Sequence, residues 1–311
     1  MINPYLTHII LMIKPTKFGY NSETAVDNVY QQKKTDSSIE EIRLKAQKEY
    51  TQLVSILKEE NVDVIEFVDD TIHKTPDSLF PNNWISTHLE GLIYLYPMLA
   101  KNRRLERRKD IIQFFRENFI VKNILDDAVF WEKKEIFLEG TGSMVLDRNN
   151  KIAYACLSKR TDNDIFNKWC QQMSYKGISF VAKDRGQDIY HTNVLMSVCQ
   201  HLVFICLDAI CMDSDKEKLL LSFKQTNKEV INISSLQMNS FLGNVLEIQN
   251  KQQESLLIMS SSAFNCLTSS QAEIIKRYMR IIHSPLNIIE SHGGGSARCM
   301  IAEIFLKRNL K

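Results

Sequence analysis

Nowhere in this 311-residue chain is there an uninterrupted apolar run long enough for a membrane span. Such a span needs roughly 18 apolar residues, and the longest candidate, Val194 to Met212, is broken by Gln200, His201 and Asp208. The opening MINPYLTHIILMIKP lacks the charged start, long apolar stretch and small-residue cleavage site of a secretory signal. Cysteine pairing is missing too. Cysteines 156, 170, 199, 206, 211, 266 and 299 are odd in number and never fall at C-x-x-C spacing, which argues against a disulfide framework and a zinc site. A reduced, cytoplasmic setting is expected. Neither sign of charge is in excess, since 39 basic and 37 acidic residues leave a net +2. No overall field therefore draws nucleic acid or an anionic membrane. The one basic cluster, Lys101 to Lys109, leads into the periodic apolar residues Ile111, Ile112, Phe114 and Phe115, and reads as the solvated start of an amphipathic helix.

Strand-like and helix-like segments alternate along the whole chain. His8 to Ile13, Asp63 to Val68, Leu92 to Tyr96, Ile136 to Leu138, Met144 to Leu146, Ile152 to Cys156 and Ile178 to Ala182 are expected as strands. So are Val203 to Asp208, Glu229 to Ile233, Leu256 to Ser260, Arg280 to His283 and a last apolar strand from Met300 to Leu306. Helices are expected at Ser38 to Glu59, with Ile39, Ile42, Ala46, Tyr50, Leu53, Ile56 and Leu57 forming one stripe, and near Leu105 to Asn118, Asp162 to Ser174, Ser214 to Lys228 and Ser269 to Met279. The order is β(β)αβ, recurring about every 50 to 60 residues. A doubly wound Rossmann sheet is the alternative, but no G-x-G-x-x-G follows the first strand and several strands come in pairs. No linker rich in Pro, Gly or Ser divides the chain, so residues 1–311 are expected to form one domain.

Four polar stretches interrupt this pattern: Pro76-Asp77-Ser78-Leu79-Phe80-Pro81-Asn82-Asn83-Trp84, Glu139-Gly140-Thr141-Gly142-Ser143, Tyr190-His191-Thr192-Asn193 and His292-Gly293-Gly294-Gly295-Ser296-Ala297-Arg298-Cys299. In the last, three glycines let the main chain approach a ligand closely. The thiol that follows stands next to Arg298, where a cation favours the nucleophilic thiolate. The competing reading is a glycine-rich turn before a buried strand that carries a cysteine. A cysteine, a histidine and a carboxylate at separate loops are what covalent hydrolysis requires: the thiolate attacks, the imidazole shuttles protons, and the carboxylate orients substrate or base. Spacing alone does not bring them together. His88, His201 and His283 read as core or surface residues, and His292 as a strand-end residue before a secondary acid/base.

Taken in order, these segments resemble the guanidine-modifying superfamily of arginine deiminases, dimethylarginine hydrolases and amidinotransferases. The family's P-D-x-x-F-x-x-[D/N] matches Pro76, Asp77, Phe80 and Asn83. Its carboxylate loop matches Glu139-Gly140, its S-x-R-T matches Ser158 to Thr161, its H-x-[D/N] matches His191 and Asn193, and its glycine-rich nucleophile segment matches Gly293 to Cys299. The resemblance covers nearly the whole chain and implies a five-bladed α/β-propeller of ββαβ units around a central site. It implies that Cys299 is the nucleophile, His191 the general acid/base and Glu139 a carboxylate gripping substrate nitrogens. Asp77, Asn83 and Asn193 become substrate contacts, and Arg160 reaches an α-carboxylate, a pairing that suits a guanidinium fork. No cofactor or metal is implied; the partner is a small amino acid, and the chain acts alone or as a homo-oligomer.

Two departures bear on substrate. Arginine deiminases carry Asp where this chain has Asn83 and Asn193. Each carboxylate facing a guanidinium at 4 Å contributes roughly 4 kcal/mol at an effective dielectric near 20, before desolvation. Neutral amides donate as well as accept, which suits a ureido group. The wording F-P-N-N-W with H-G-G-G-S-A-R-C also looks like the citrulline-utilisation branch, whose members hydrolyse citrulline to ornithine, carbon dioxide and ammonia. The expected activity is therefore a cofactor-free cysteine hydrolase acting on citrulline. The alternatives are an arginine deiminase-type hydrolase, an amidinotransferase in which an amine resolves the adduct, and a non-catalytic binding module.

Overall fold

A computed structural model describes residues 3–28, 30–31, 38–69 and 72–309. The longest apolar segments become central strands, because a strand covered on both faces needs apolar residues throughout. Ile152–Cys156 is buried along its whole length. It pairs antiparallel with Met144–Asp147 and parallel with Lys176–Phe180, the crossover being helix Asn163–Met173. The same plan recurs around Leu92–Leu95, Leu202–Ile205 and Ser255–Ser260, each antiparallel to the strand before it and parallel to the strand after its helix. Strand Ile9–Lys14 lies parallel to Asp63–Val68, and its antiparallel partner is Ala302–Glu303 from the other end of the chain. Among the described residues five three-stranded mixed sheets result, with a separate two-stranded hairpin at Lys183–Asp188. The fold is mixed α/β, and no sheet closes on itself among the described residues.

The helices follow from their caps and stripes. Ser38 accepts from the Glu41 N–H while the Glu41 side chain returns to the Ser38 N–H, a reciprocal cap that starts helix Ile39–Glu59. Ile42, Ala46, Tyr50, Leu53, Val54 and Leu57 form its buried face, whereas Ile39, expected in the stripe, is exposed in the first turn. Asp162 caps helix Asn163–Met173, and Ser174 ends it in a left-handed conformation. No described helix is long and apolar enough to cross a membrane.

Three expectations change. Ile136 to Leu138 is not a strand and keeps only an isolated bridge from Leu138 to Thr161, since the chain turns at Glu139. Met300 to Leu306 contributes only Ala302–Glu303, because Ser296 to Ile301 is wound into helical turns. The basic run is not simply a solvated helix start. Asn102–Glu106 is a 3-10 turn that buries Arg103 and Glu106, and the α-helix begins at Lys109.

Candidate active site

Each sheet's outer antiparallel strand is entered through a short helical turn. Pro81–Asn83 precedes Ile85–His88, Gly140–Ser143 precedes Met144–Asp147, and Thr192–Leu195 precedes Met196–Val198. Residues 241–244 and 296–299 turn in the same way before Leu246–Gln249 and Ala302–Glu303. The turns pack together closely. A Cβ on Gly142 would come within 2.3 Å of Asn83 Nδ2 and 2.7 Å of His191 Nδ1, so no larger residue fits between those side chains. Around this junction lies a narrow cleft lined by Asp77, Asn83, Arg103, Arg160, His191 and Cys299, among others. Residues expected from distant parts of the sequence thus share one site.

Cys299 is buried, and two side-chain amides donate to its sulfur: Asn193 Nδ2 at 3.4 Å and Asn244 Nδ2 at 3.2 Å. The glycine run ends helix Asn287–Gly293, with Gly294 at φ 67° as its left-handed cap. His292 therefore sits on a helix, not at a strand end. Arg298 does not present its guanidinium as the expected cation beside the thiol. Nη1 donates to the Ile301 carbonyl at 3.0 Å and Nη2 to Glu303 at 3.0 Å.

Glu139 is wholly buried and both of its oxygens are engaged. Oε1 accepts from the Leu99 N–H at 3.0 Å, and Oε2 lies 2.9 Å from His191 Nε2. Burial alone would raise this carboxyl, but Arg160, the His191 hydrogen bond and Arg103 together bring it down to about 2. An ionised Glu139 accepts only, so Nε2 carries the imidazole proton and Nδ1 keeps the lone pair. Burial also holds the His191 imidazole below its usual value, with Arg160 and Arg103 adding to the effect against the pull of Glu139. The first partner of Glu139 is thus the histidine.

Arg160 is buried, with its ring neighbour Tyr190 4.8 Å away. Its Nε donates to Asp27 Oδ2 at 2.9 Å, Nη2 donates to Asp27 Oδ1 and to the Thr24 carbonyl, and Nη1 lies 3.6 Å from Glu139. Asp77 Oδ2 accepts from Asn21 Nδ2 at 2.7 Å and Thr24 Oγ1 at 3.0 Å. Burial pushes the Asp77 carboxyl up despite Arg103 and these donors. The segment from Asn21 to Asn28 therefore straps across the cleft, and Asn28 donates to the Gly293 carbonyl at 3.3 Å.

Sequence reasoning did not find Arg103, Glu106 or Asn244. Arg103 donates through Nε and Nη2 to Glu106 and through Nη1 to Asn83 Oδ1 at 2.8 Å, with Asp77 at 4.0 Å and Glu139 at 3.9 Å. One guanidinium is shared among three buried carboxylates. Burial, reinforced by Asp77 and Glu139, pushes the Glu106 carboxyl up to about 7 in spite of Arg103. The only sequence signal at Arg103 was a run of basic residues, which ordinarily marks solvated surface. Asn244, in Phe241-Leu242-Gly243-Asn244, carried no signal.

The profile of the eukaryotic N,N dimethylarginine dimethylhydrolase family matches residues 14–306. No curated protein matches the chain. Among solved structures, the arginine dihydrolase ArgZ of the ornithine-ammonia cycle in cyanobacteria superposes with a TM-score of 0.72 at 16% identity, covering 94% of this chain and 40% of that one. The chain thus spans less than half of that enzyme. The product-bound N-terminal domain of ArgZ gives 0.71 at 18% identity, covering 96% of this chain and 98% of that one. A dimethylarginine dimethylaminohydrolase, in an adduct with 4-chloro-2-hydroxymethylpyridine, gives 0.64 at 14% identity, covering 96% and 99%. At these identities the likeness is one of fold. The profile match spans nearly the whole chain, and the protein belongs to the N,N dimethylarginine dimethylhydrolase family, within the pentein superfamily of guanidine-modifying proteins.

Proposed function

We propose that this chain is a cysteine hydrolase that cleaves C–N bonds of a ureido amino acid, with citrulline as its substrate. The whole chain acts as one catalytic domain, and its five sheets are the five blades of an α/β-propeller around the cleft. The observation that carries the substrate is the orientation of Asn83. Arg103 can only donate, so the atom it meets must be Oδ1. That leaves Nδ2, a buried donor with no partner among the described residues, beside the cleft. A ureido group offers a carbonyl oxygen to such a donor, whereas a guanidinium offers only N–H groups. Asn193 Oδ1, likewise buried and unpartnered, can take a ureido N–H.

In this reading the Cys299 thiolate attacks the ureido carbon. The neutral His191, held by Glu139, takes up the Cys299 thiol proton at Nδ1, passes it to the nitrogen that leaves, and then withdraws one from the water that resolves the adduct. The sum is citrulline plus water giving ornithine, carbon dioxide and ammonia. Arg160 supplies the positive charge for the substrate's α-carboxylate, which displaces Asp27 from its fork. A second reading, an arginine hydrolase, draws support from the buried carboxylates Asp77 and Glu139 and from the arginine dihydrolase among the structural neighbours. Amino-acid analysis after separate incubation with citrulline and with arginine, without an amine acceptor, tests the proposal. Ornithine from citrulline supports it. Citrulline that remains unchanged while arginine is consumed contradicts it.

A further inference from the structure

Four of the five turns that enter the outer strands carry a residue singled out from sequence: Asn83, Glu139, His191 with Asn193, and Cys299. The turn before Leu246–Gln249 had none, and at its end stands Asn244. Its side chain is buried, and its Nδ2 has two protons with two acceptors in reach: the Asn193 carbonyl at 2.8 Å and Cys299 Sγ at 3.2 Å. A carbonyl only accepts, so the amide cannot be reversed, and its donor is committed to the sulfur. The main chain reinforces this, because the Asn244 carbonyl accepts from the Arg298 N–H at 3.4 Å, one residue before the nucleophile. Gly243 makes the approach feasible, since a Cβ there would meet the Val194 carbonyl oxygen at 2.3 Å.

We propose that Asn244 is a catalytic residue, the fifth turn's contribution to the site, which holds the Cys299 sulfur with an amide donor and ties it to the His191 turn. The assignment rests on the reading of Cys299 as nucleophile. Thiolate sulfur accepts hydrogen bonds and is the form that attacks. Asn193 also donates to the sulfur, but its own amide has no second partner to fix its orientation among the described residues. Asn244 is therefore the donor whose direction the fold determines. Its carbonyl Oδ1, buried and unpartnered among the described residues, is an acceptor left beside the reacting atom.

The test uses the full chain, iodoacetamide as probe, and peptide mapping to follow Cys299. Asn244→Asp keeps the shape and removes the donor, while Asn244→Ala removes the amide altogether. In both, alkylation of Cys299 at neutral pH should slow by about ten-fold or more, as expected for a lost hydrogen bond to a charged group. The pH profile of alkylation should move to higher pH, and kcat should fall while KM changes little. Alkylation rate and pH profile unchanged in either variant that keeps the parent's melting temperature would overturn the assignment. Loss of the native melt in both would also overturn it, making Asn244 a brace of the fold. Failure of the parent's Cys299 to alkylate selectively would sink the nucleophile reading itself, a distinct outcome seen before any variant is made.

Discussion

Arg103 donates to Asn83 at 2.8 Å while its other nitrogens hold Glu106, so a buried cation fixes which face of the Asn83 amide the cleft receives. Replacing Arg103 by Met would leave Glu106 and Asp77 without that charge. The expected loss is about 3–5 kcal/mol, typical of breaking a buried pair. Because the Glu106 carboxyl is pushed up to about 7, it is protonated well below that pH and carries less penalty there. Urea titration of Arg103→Met should therefore show greater destabilisation at pH 8 than at pH 5. Equal losses at both would remove Glu106 from the account.

Cys299→Ala should abolish turnover with the fold intact, since no other group in the cleft can form the adduct. His191→Ala should cost roughly 10²–10⁴-fold in kcat, the range for a general acid/base. More than a few per cent of activity in Cys299→Ala would rule out covalent catalysis.

Glu139 ties acid stability to the site. Its pKa is near 2 in the folded chain against an ordinary value of 4.5, so its contribution is complete above 4.5 and is lost as pH falls toward 2. The size is on the order of 3 kcal/mol. Glu139→Gln should flatten acid unfolding across that window, and should lower kcat/KM because the histidine loses its charged partner. An unchanged acid transition in the variant would show that the carboxylate is not held as described.

Gly142→Ala tests the packing of the turns. The added Cβ would meet Asn83 Nδ2 and His191 Nδ1, both polar atoms of the site. Activity should fall by more than the change in melting temperature would suggest. Full activity in a stable variant would mean that the two side chains have room the structure does not show.

Much of the fold was legible because central strands such as Ile152–Cys156 and Leu202–Ile205 are buried on both faces and read as unbroken apolar runs. Their outer partners were missed where they are three or four residues long, as at Ile85–His88, Met196–Val198 and Leu246–Gln249, too short for alternation to register. At the candidate site, the motif residues Asp77, Asn83, Arg160, His191 and Cys299 line one cleft, while Glu139 and Asn193 contact its lining through His191 and Cys299. Arg103 and Glu106 were not found from sequence, because a buried ion pair three residues apart looks like any exposed helical pair until the chain around it is folded. The role of Arg298 was misjudged for a related reason. Adjacency in sequence to Cys299 does not say where its guanidinium points, and it points to Glu303.

The proposed citrulline activity rests on the neutral amides of Asn83 and Asn193 meeting a neutral ureido group. The direct measurement is the ratio of kcat/KM for citrulline to that for arginine, in the native protein and in the double variant Asn83→Asp, Asn193→Asp. A ratio cancels general damage to the site, and each 1.4 kcal/mol of differential binding moves it about ten-fold. The native protein should favour citrulline, and the double variant should shift toward arginine. A native protein that already processes arginine faster than citrulline would contradict the account.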